Sequence, residues 1–166
     1  MSNIYLVGFM GTGKTTVGKE LAKRKNWSFV DLDDLIELRE RMTIVEIFAQ
    51  KGEPYFRRRE KEILKEVAKE KNFVVACGGG IVLDEENVKI MYETGIPICL
   101  VATSEVILKR TEGFSYRPLL NTANPKERIE ELLQKRAPFY ARIEKKIDTS
   151  NLTVEEVVEQ ILKLIP

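Results

Sequence analysis

Histidine is absent from the 166 residues. With it go the commonest general base and the commonest zinc ligand, so any proton transfer must run through carboxylates. Cysteine is scarce: Cys77 and Cys99 each sit inside an apolar run and read as reduced core thiols, not as a disulfide framework. Neither charge sign dominates, since 27 Lys and Arg face 26 Asp and Glu. The chain therefore has no global field for nucleic acid or an anionic membrane, and electrostatic work must be local. No apolar run approaches the ~20 residues needed to cross a bilayer. The opening MSNIYLVGF reads as a strand entering a glycine loop and not as a secretory signal, which sets the expectation of a cytoplasmic protein. Repeats, low-complexity tracts and obvious linkers are also missing, and the length suits one domain.

What is present alternates. Strand-like runs at Ile4–Val7, Ser28–Asp31, Phe73–Cys77, Ile98–Ala102 and Lys146–Asp148 are separated by helical stretches. The helices expected are Lys14–Lys25, a pair across Asp33–Ala49 and Tyr55–Glu70, Glu85–Glu93, Glu105–Thr111, Pro125–Ala141 and Val154–Leu164. Asp84, Asn124 before Pro125, and Thr153 with Glu156 supply N-terminal caps. This order predicts an α/β fold, a parallel sheet with helices on both faces and ligands at the carboxyl ends of the strands. The irregular stretch EGFSYRPLLNTAN, residues 112–124, is long enough for a lid.

GFMGTGKT, Gly8 to Thr15, matches G-x-x-x-x-G-K-[ST] in full, between a strand and an amphipathic helix. Such a loop turns successive N–H groups inward as an anion nest at a helix N-terminus. Lys14 then reaches the β/γ-phosphates, and the Thr15 hydroxyl is a magnesium ligand. A nucleoside triphosphate is the expected ligand. In FVDLDDLIE, Asp31 and Asp33 share a face if the extended backbone continues, while Asp34 points away or caps the next helix. The pair either serves magnesium-bound water and a hydroxyl proton, or forms a capping cluster favoured by the helix dipole. In GEPYFRRRE the three arginines cannot face one way. Arg57 and Glu60 fall on one side, where Glu60 can hold the guanidinium for a planar anion, and a solvated face is the alternative. VVACGGGIV ends a strand in Gly78, Gly79 and Gly80; a tight turn needs one or two glycines, and three suggest the wall of a pocket.

Taken together and in order, GFMGTGKTT, Asp31-Leu32-Asp33, Phe56 and Arg57 with Glu60, Gly78–Gly80, RPLL at Arg117–Leu120, and Arg136 with Tyr140 resemble shikimate kinase from the first strand to the last helix. The resemblance implies a P-loop fold like that of nucleoside monophosphate kinases, with a five-stranded parallel sheet. It implies one kinase domain, 1–166, with a substrate segment about 32–60 and a lid about 112–124. The implied reaction moves the γ-phosphoryl of ATP to the 3-hydroxyl of shikimate, on the way to chorismate and aromatic amino acids, with Mg2+ and as a monomer. By position, Asp33 contacts the substrate hydroxyls and is the base. Arg57 and Arg136 grip the carboxylate, and Gly79, Gly80 and Phe56 line the pocket. Gly11, Thr12, Gly13, Lys14, Thr15 and Thr16 hold the phosphates, with Arg110 near the adenine and Arg117 meeting the transferring phosphoryl. Thr15 and Asp31 serve magnesium. The family's extra basic residue after the last strand is missing from DTSNLT, which leaves main chain, Ser150 and Asn151 for the base. Gluconate kinases are the nearest rival enzymes. A nucleotide switch is the rival of another class, and an N/TKxD guanine-reading motif is lacking.

Overall fold

The computed structural model describes residues 2–112 and 123–166. Five strands, β1 (Asn3–Val7), β2 (Ser28–Asp31), β3 (Phe73–Ala76), β4 (Gly95–Val101) and β5 (Lys145–Asp148), pair in parallel in the order β2-β3-β1-β4-β5. Parallel neighbours need crossover connections. These are supplied by α1 (Lys14–Lys25), α2 (Leu32–Glu40), α3 (Ile44–Lys51), α4 (Glu53–Ala68), α5 (Glu85–Thr94), α6 (Ser104–Thr111) and α7 (Pro125–Tyr140), with α8 (Val154–Leu164) after the last strand.

Strand β1 shows why the sheet must be covered twice. Ile4 and Leu6 pack with Val17 and Leu21 of α1 and Val158 and Ile161 of α8. Tyr5 and Val7 point the other way, into a second cluster with Ile36, Ile47, Leu64, Met91 and Ile129. Each such side chain stabilises the fold by roughly 1.5–3 kcal/mol when fully buried, so both faces resist exposure. The amino edge of the sheet is closed by Asn3, whose amide bonds Glu70 O and the Phe73 N–H. Cys77 and Cys99 are free and buried, as expected. Among the described residues no helix is long and apolar enough to cross a membrane.

Three details differ from the sequence reading. The stretch expected as one helix from Asp33 is two, because Arg41 takes a left-handed φ of 54° and Thr43 starts afresh with a capping box to Glu46. The glycine run leads into a short 3-10 turn, Ile81–Leu83, before α5. The extended backbone stops at Asp31, so the strand alternation invoked for Asp33 does not apply, and Asp33 sits in the first turn of α2. The cap is likewise Asp31 and not Asp34: its Oδ1 accepts the Asp34 N–H at 3.2 Å.

Candidate active site

The segments that follow β1, β2, β3 and β5 at the carboxyl edge of the sheet contribute to one open cleft of about 1070 Å3. After β1, the chain turns through Gly11 (φ 77°) and Gly13 (φ 100°), left-handed conformations that other residues rarely adopt. This presents the start of α1 to the cleft, with Thr12 pinned by its hydroxyl donating to Phe9 O at 2.8 Å. Lys14 Nζ donates to the carbonyls of Gly8 and Phe9, beside the nest it would serve. Gly11, Thr12, Gly13, Lys14, Thr15 and Thr16 all line the cleft. The Thr15 hydroxyl donates to Asp31 Oδ2 at 2.9 Å. A hydroxyl and a carboxylate are hard oxygen donors of the kind magnesium takes, and in kinase sites it keeps water and phosphate as its other ligands, so this pair fits the ion.

Asp33, Arg57, Glu60 and Arg136 line the same cleft. Arg57 Nη1 donates to Glu60 Oε1 at 3.0 Å, the i,i+3 contact on α4 that the spacing predicts. Of the other two arginines, Arg59 turns to Glu40 and Glu62, and Arg58 lies 6.0 Å from the Tyr55 ring. Arg136, from α7, lies 5.6 Å from the Phe9 ring centroid. Phe56 is buried edge-on against Phe48, with centroids 5.0 Å apart, and Arg57 lies over its ring.

The three glycines answer to space and not to backbone conformation, for none of them has a left-handed φ. A Cβ on Gly78 would stand 2.7 Å from Asp33 Oδ1, one on Gly79 3.1 Å from Arg136 Nη1, and one on Gly80 2.6 Å from Arg57 Cζ. Each glycine thus makes room for one functional side chain from a different helix. The pocket-wall expectation holds, and the contact partners explain why the run has three.

Four buried polar atoms among the described residues have no hydrogen-bond partner, and three of them converge here: Asp33 Oδ1, Glu60 Oε2 and Arg57 Nε. Leaving such atoms unsatisfied costs about 1–3 kcal/mol each, so the cleft is built to be completed by a ligand with hydroxyl donors and an anionic group. Burial, aided by Asp31, pushes the Asp33 carboxyl up to about 6, against the pull of Lys14 and Arg57. Burial pushes Glu60 up to about 7, opposed by Arg57.

The Glu60 shift has a consequence for stability. Its folded value lies above the ordinary 4.5, so the folded chain holds this proton more tightly than the unfolded one. The resulting stabilisation is complete below about pH 4.5 and is lost as the pH rises through about 7. Glu60→Gln, which cannot ionise, is expected to flatten this part of the profile. Urea midpoints between pH 5 and 8 that decline with the same slope in both proteins would contradict it.

Arg110 is placed differently from a simple base contact. Its Nη1 donates to Gly11 O and Thr149 Oγ1, at 3.1 and 3.0 Å, and its Nη2 to Thr149 O at 2.8 Å. It clasps the phosphate loop to the loop after β5, where Thr149 Oγ1 also donates to Thr12 O. Ser150 Oγ is engaged too, accepting the Thr103 N–H at 2.9 Å. Leu152, Val154 and Val157 line the same cleft. The roles of Thr149 and Phe9 carry no sequence signal, because their partners are distant in the chain. Arg117, expected from the lid, lies outside the described residues.

Comparison with known proteins agrees with this geometry. Residues 10–166 match the family model described as shikimate kinase. A shikimate kinase of Thermodesulfovibrio yellowstonii is 50% identical over 163 residues, covering 98% of this chain and 94% of its own. The solved structure of shikimate kinase from Acinetobacter baumannii in complex with shikimate superposes with a TM-score of 0.93 at 38% identity, covering 99% of this chain and 92% of that one. A gluconokinase of Sinorhizobium meliloti shares the fold alone, at 16% identity and a TM-score of 0.58. With a phosphate loop, a buried acid and two arginines meeting at one sheet edge, and with relatives alike over nearly the whole length, the chain belongs to the shikimate kinase family.

Proposed function

We propose that this chain, as a single kinase domain, transfers the γ-phosphoryl of ATP to the 3-hydroxyl of shikimate, a step toward the aromatic amino acids. The observation that carries the reading is that Asp33 Oδ1, Glu60 Oε2 and Arg57 Nε, buried and without a hydrogen-bond partner, belong to residues lining the cleft that the phosphate loop also lines. A polyhydroxylated carboxylic acid satisfies that set: hydroxyls for the acids, a carboxylate for Arg57 and Arg136.

In the mechanism we infer, Arg57 and Arg136 orient the acceptor by its carboxylate, Glu60 steadies Arg57, and the bare Gly79 and Gly80 let the ring lie close. Asp33 accepts the proton of the attacking hydroxyl. As that oxygen bonds to the γ-phosphorus, the bond to the β-phosphate oxygen breaks and ADP departs. The transition state is loose and spreads charge over the equatorial oxygens, so positioning and cations carry the catalysis. Lys14 and the N–H groups of Gly11 to Thr15 neutralise the phosphates, and Arg117 adds a further cation. Thr15 directly, and Asp31 through water, would hold Mg2+, which supplies charge neutralisation at the β- and γ-phosphates. We further propose a cytoplasmic monomer that uses no nucleic-acid partner.

Release of ADP from MgATP tests the reading, with shikimate, gluconate and nucleoside monophosphates as parallel acceptors. Release that depends on shikimate is expected. Release with gluconate, or equal release without an acceptor, would overturn the substrate assignment.

A further inference from the structure

Tyr140 closes α7 one turn after Arg136, so both side chains leave the same face of the helix. Its ring is buried, at 7% exposure, although it borders the cleft. The hydroxyl donates to Gly79 O at 2.6 Å. Gly79 brings the two side chains together: a Cβ placed on it would stand 3.1 Å from Arg136 Nη1 and 3.7 Å from the Tyr140 hydroxyl oxygen. Burial pushes the ionisation of Tyr140 up to about 12, so it remains a neutral donor at any working pH.

The helix needs this anchor. Pro138 lies between Arg136 and Tyr140 and has no N–H, so the ladder of α7 loses a bond one turn from its end. Backbone bonds from the Ala141 and Arg142 N–H groups to Ala137 O and Phe139 O still close the end, and two tertiary contacts pin it to the sheet edge: Tyr140 to Gly79 O, and Arg142 Nη1 to Val82 O at 3.1 Å. Arg57 has the buried Glu60 to set its direction, whereas Arg136 lies over the Phe9 ring and beside Gly79, on the helix that Tyr140 ties to that glycine.

We infer that Tyr140 is a positioning residue of the acceptor site, which fixes the Arg136 guanidinium against Gly79 and thereby sets the affinity for the substrate carboxylate. This rests on the reading of Arg136 as a carboxylate ligand. It also makes Tyr140 the counterpart, for one arginine, of what Glu60 is for the other.

Tyr140→Phe removes one oxygen from a packed ring, so the fold is retained with a melting midpoint lowered by a few degrees at most. The expected result is a shikimate KM raised about tenfold, in line with loss of a buried hydrogen bond that holds Arg136's helix in place, with the MgATP KM within about twofold of the wild type. Arg136→Lys alone is expected to raise the shikimate KM, and adding Tyr140→Phe to it should cost little more, because the guanidinium to be positioned is gone. A shikimate KM unchanged in Tyr140→Phe, or both KM values rising together, would overturn the inference while leaving the Arg136 reading intact. So would a full tenfold loss persisting in the Arg136→Lys background. An Arg136→Lys enzyme with an unaltered shikimate KM would remove the carboxylate reading itself, and the inference with it. Should Tyr140→Phe fail to fold, calorimetric shikimate binding to Tyr140→Met decides the point: weaker binding with MgATP affinity kept is expected, and wild-type shikimate affinity would overturn the inference.

Discussion

An Asp33→Asn enzyme is expected to lose about 10²–10⁴-fold in kcat, the usual worth of a positioned general base, while MgATP affinity changes little. The amide is nearly isosteric and can still accept a hydrogen bond, but it cannot take the proton that the attacking hydroxyl must shed. The structure adds two conditions. Asp33 stands among Asp31, Lys14 and Arg57, and burial sets its carboxyl near 6, so wild-type kcat/KM for shikimate should fall with decreasing pH through about that value as the base becomes protonated. The same burial makes the charged side chain a cost to the folded state above its titration, so the Asn variant should be no less stable than the wild type at pH 8. Single-turnover transfer and thermal unfolding, measured on the same preparations, check all three. Retention of most activity would leave Asp33 a structural member of the first turn of α2.

Arg117→Ala should have an effect at least as large, about 10³–10⁵-fold in kcat, as removal of an arginine finger has in phosphoryl-transfer enzymes. The role is the one that the resemblance to shikimate kinase implies for the arginine of RPLL. Four basic side chains among the described residues line the cleft: Lys14, Arg57, Arg110 and Arg136. Arg57 pairs with Glu60, Arg110 bonds Gly11 and Thr149, Arg136 lies over Phe9, and Lys14 donates to Gly8 O and Phe9 O. A further cation would stabilise the charge that spreads over the transferring phosphoryl. Arg117 lies outside those residues, and its sequence position in RPLL, between α6 and α7, is what recommends it. Rapid-quench measurement of the chemical step separates loss of chemistry from slowed product release; an undiminished burst would remove Arg117 from the mechanism.

Much of the site is legible in the sequence because its parts are local. The phosphate loop is eight consecutive residues whose glycine spacing encodes the turn, and the Arg57–Glu60 contact follows from helical periodicity alone. Asp31 and Asp33 are recognisable as a functional pair, yet their geometry is not: a helix that begins one residue earlier than expected moves Asp33 from a strand face to a helical turn. Arg110 has an apparent role by position, but only folding reveals that it also clasps two loops together.

The chain's alternation of apolar runs and amphipathic helices, its single complete phosphate-binding motif and its lack of histidine determine by themselves that this is a parallel α/β nucleotide enzyme relying on carboxylates. They do so because hydrophobic periodicity and turn chemistry act over a few residues. What Gly78, Gly79 and Gly80 are for was decided only in three dimensions. The side chains that need their missing Cβ atoms are Asp33, Arg136 and Arg57, which arrive from α2, α7 and α4. Steric exclusion acts between atoms that meet, and no local rule relates Gly79 to an arginine 57 residues further along the chain.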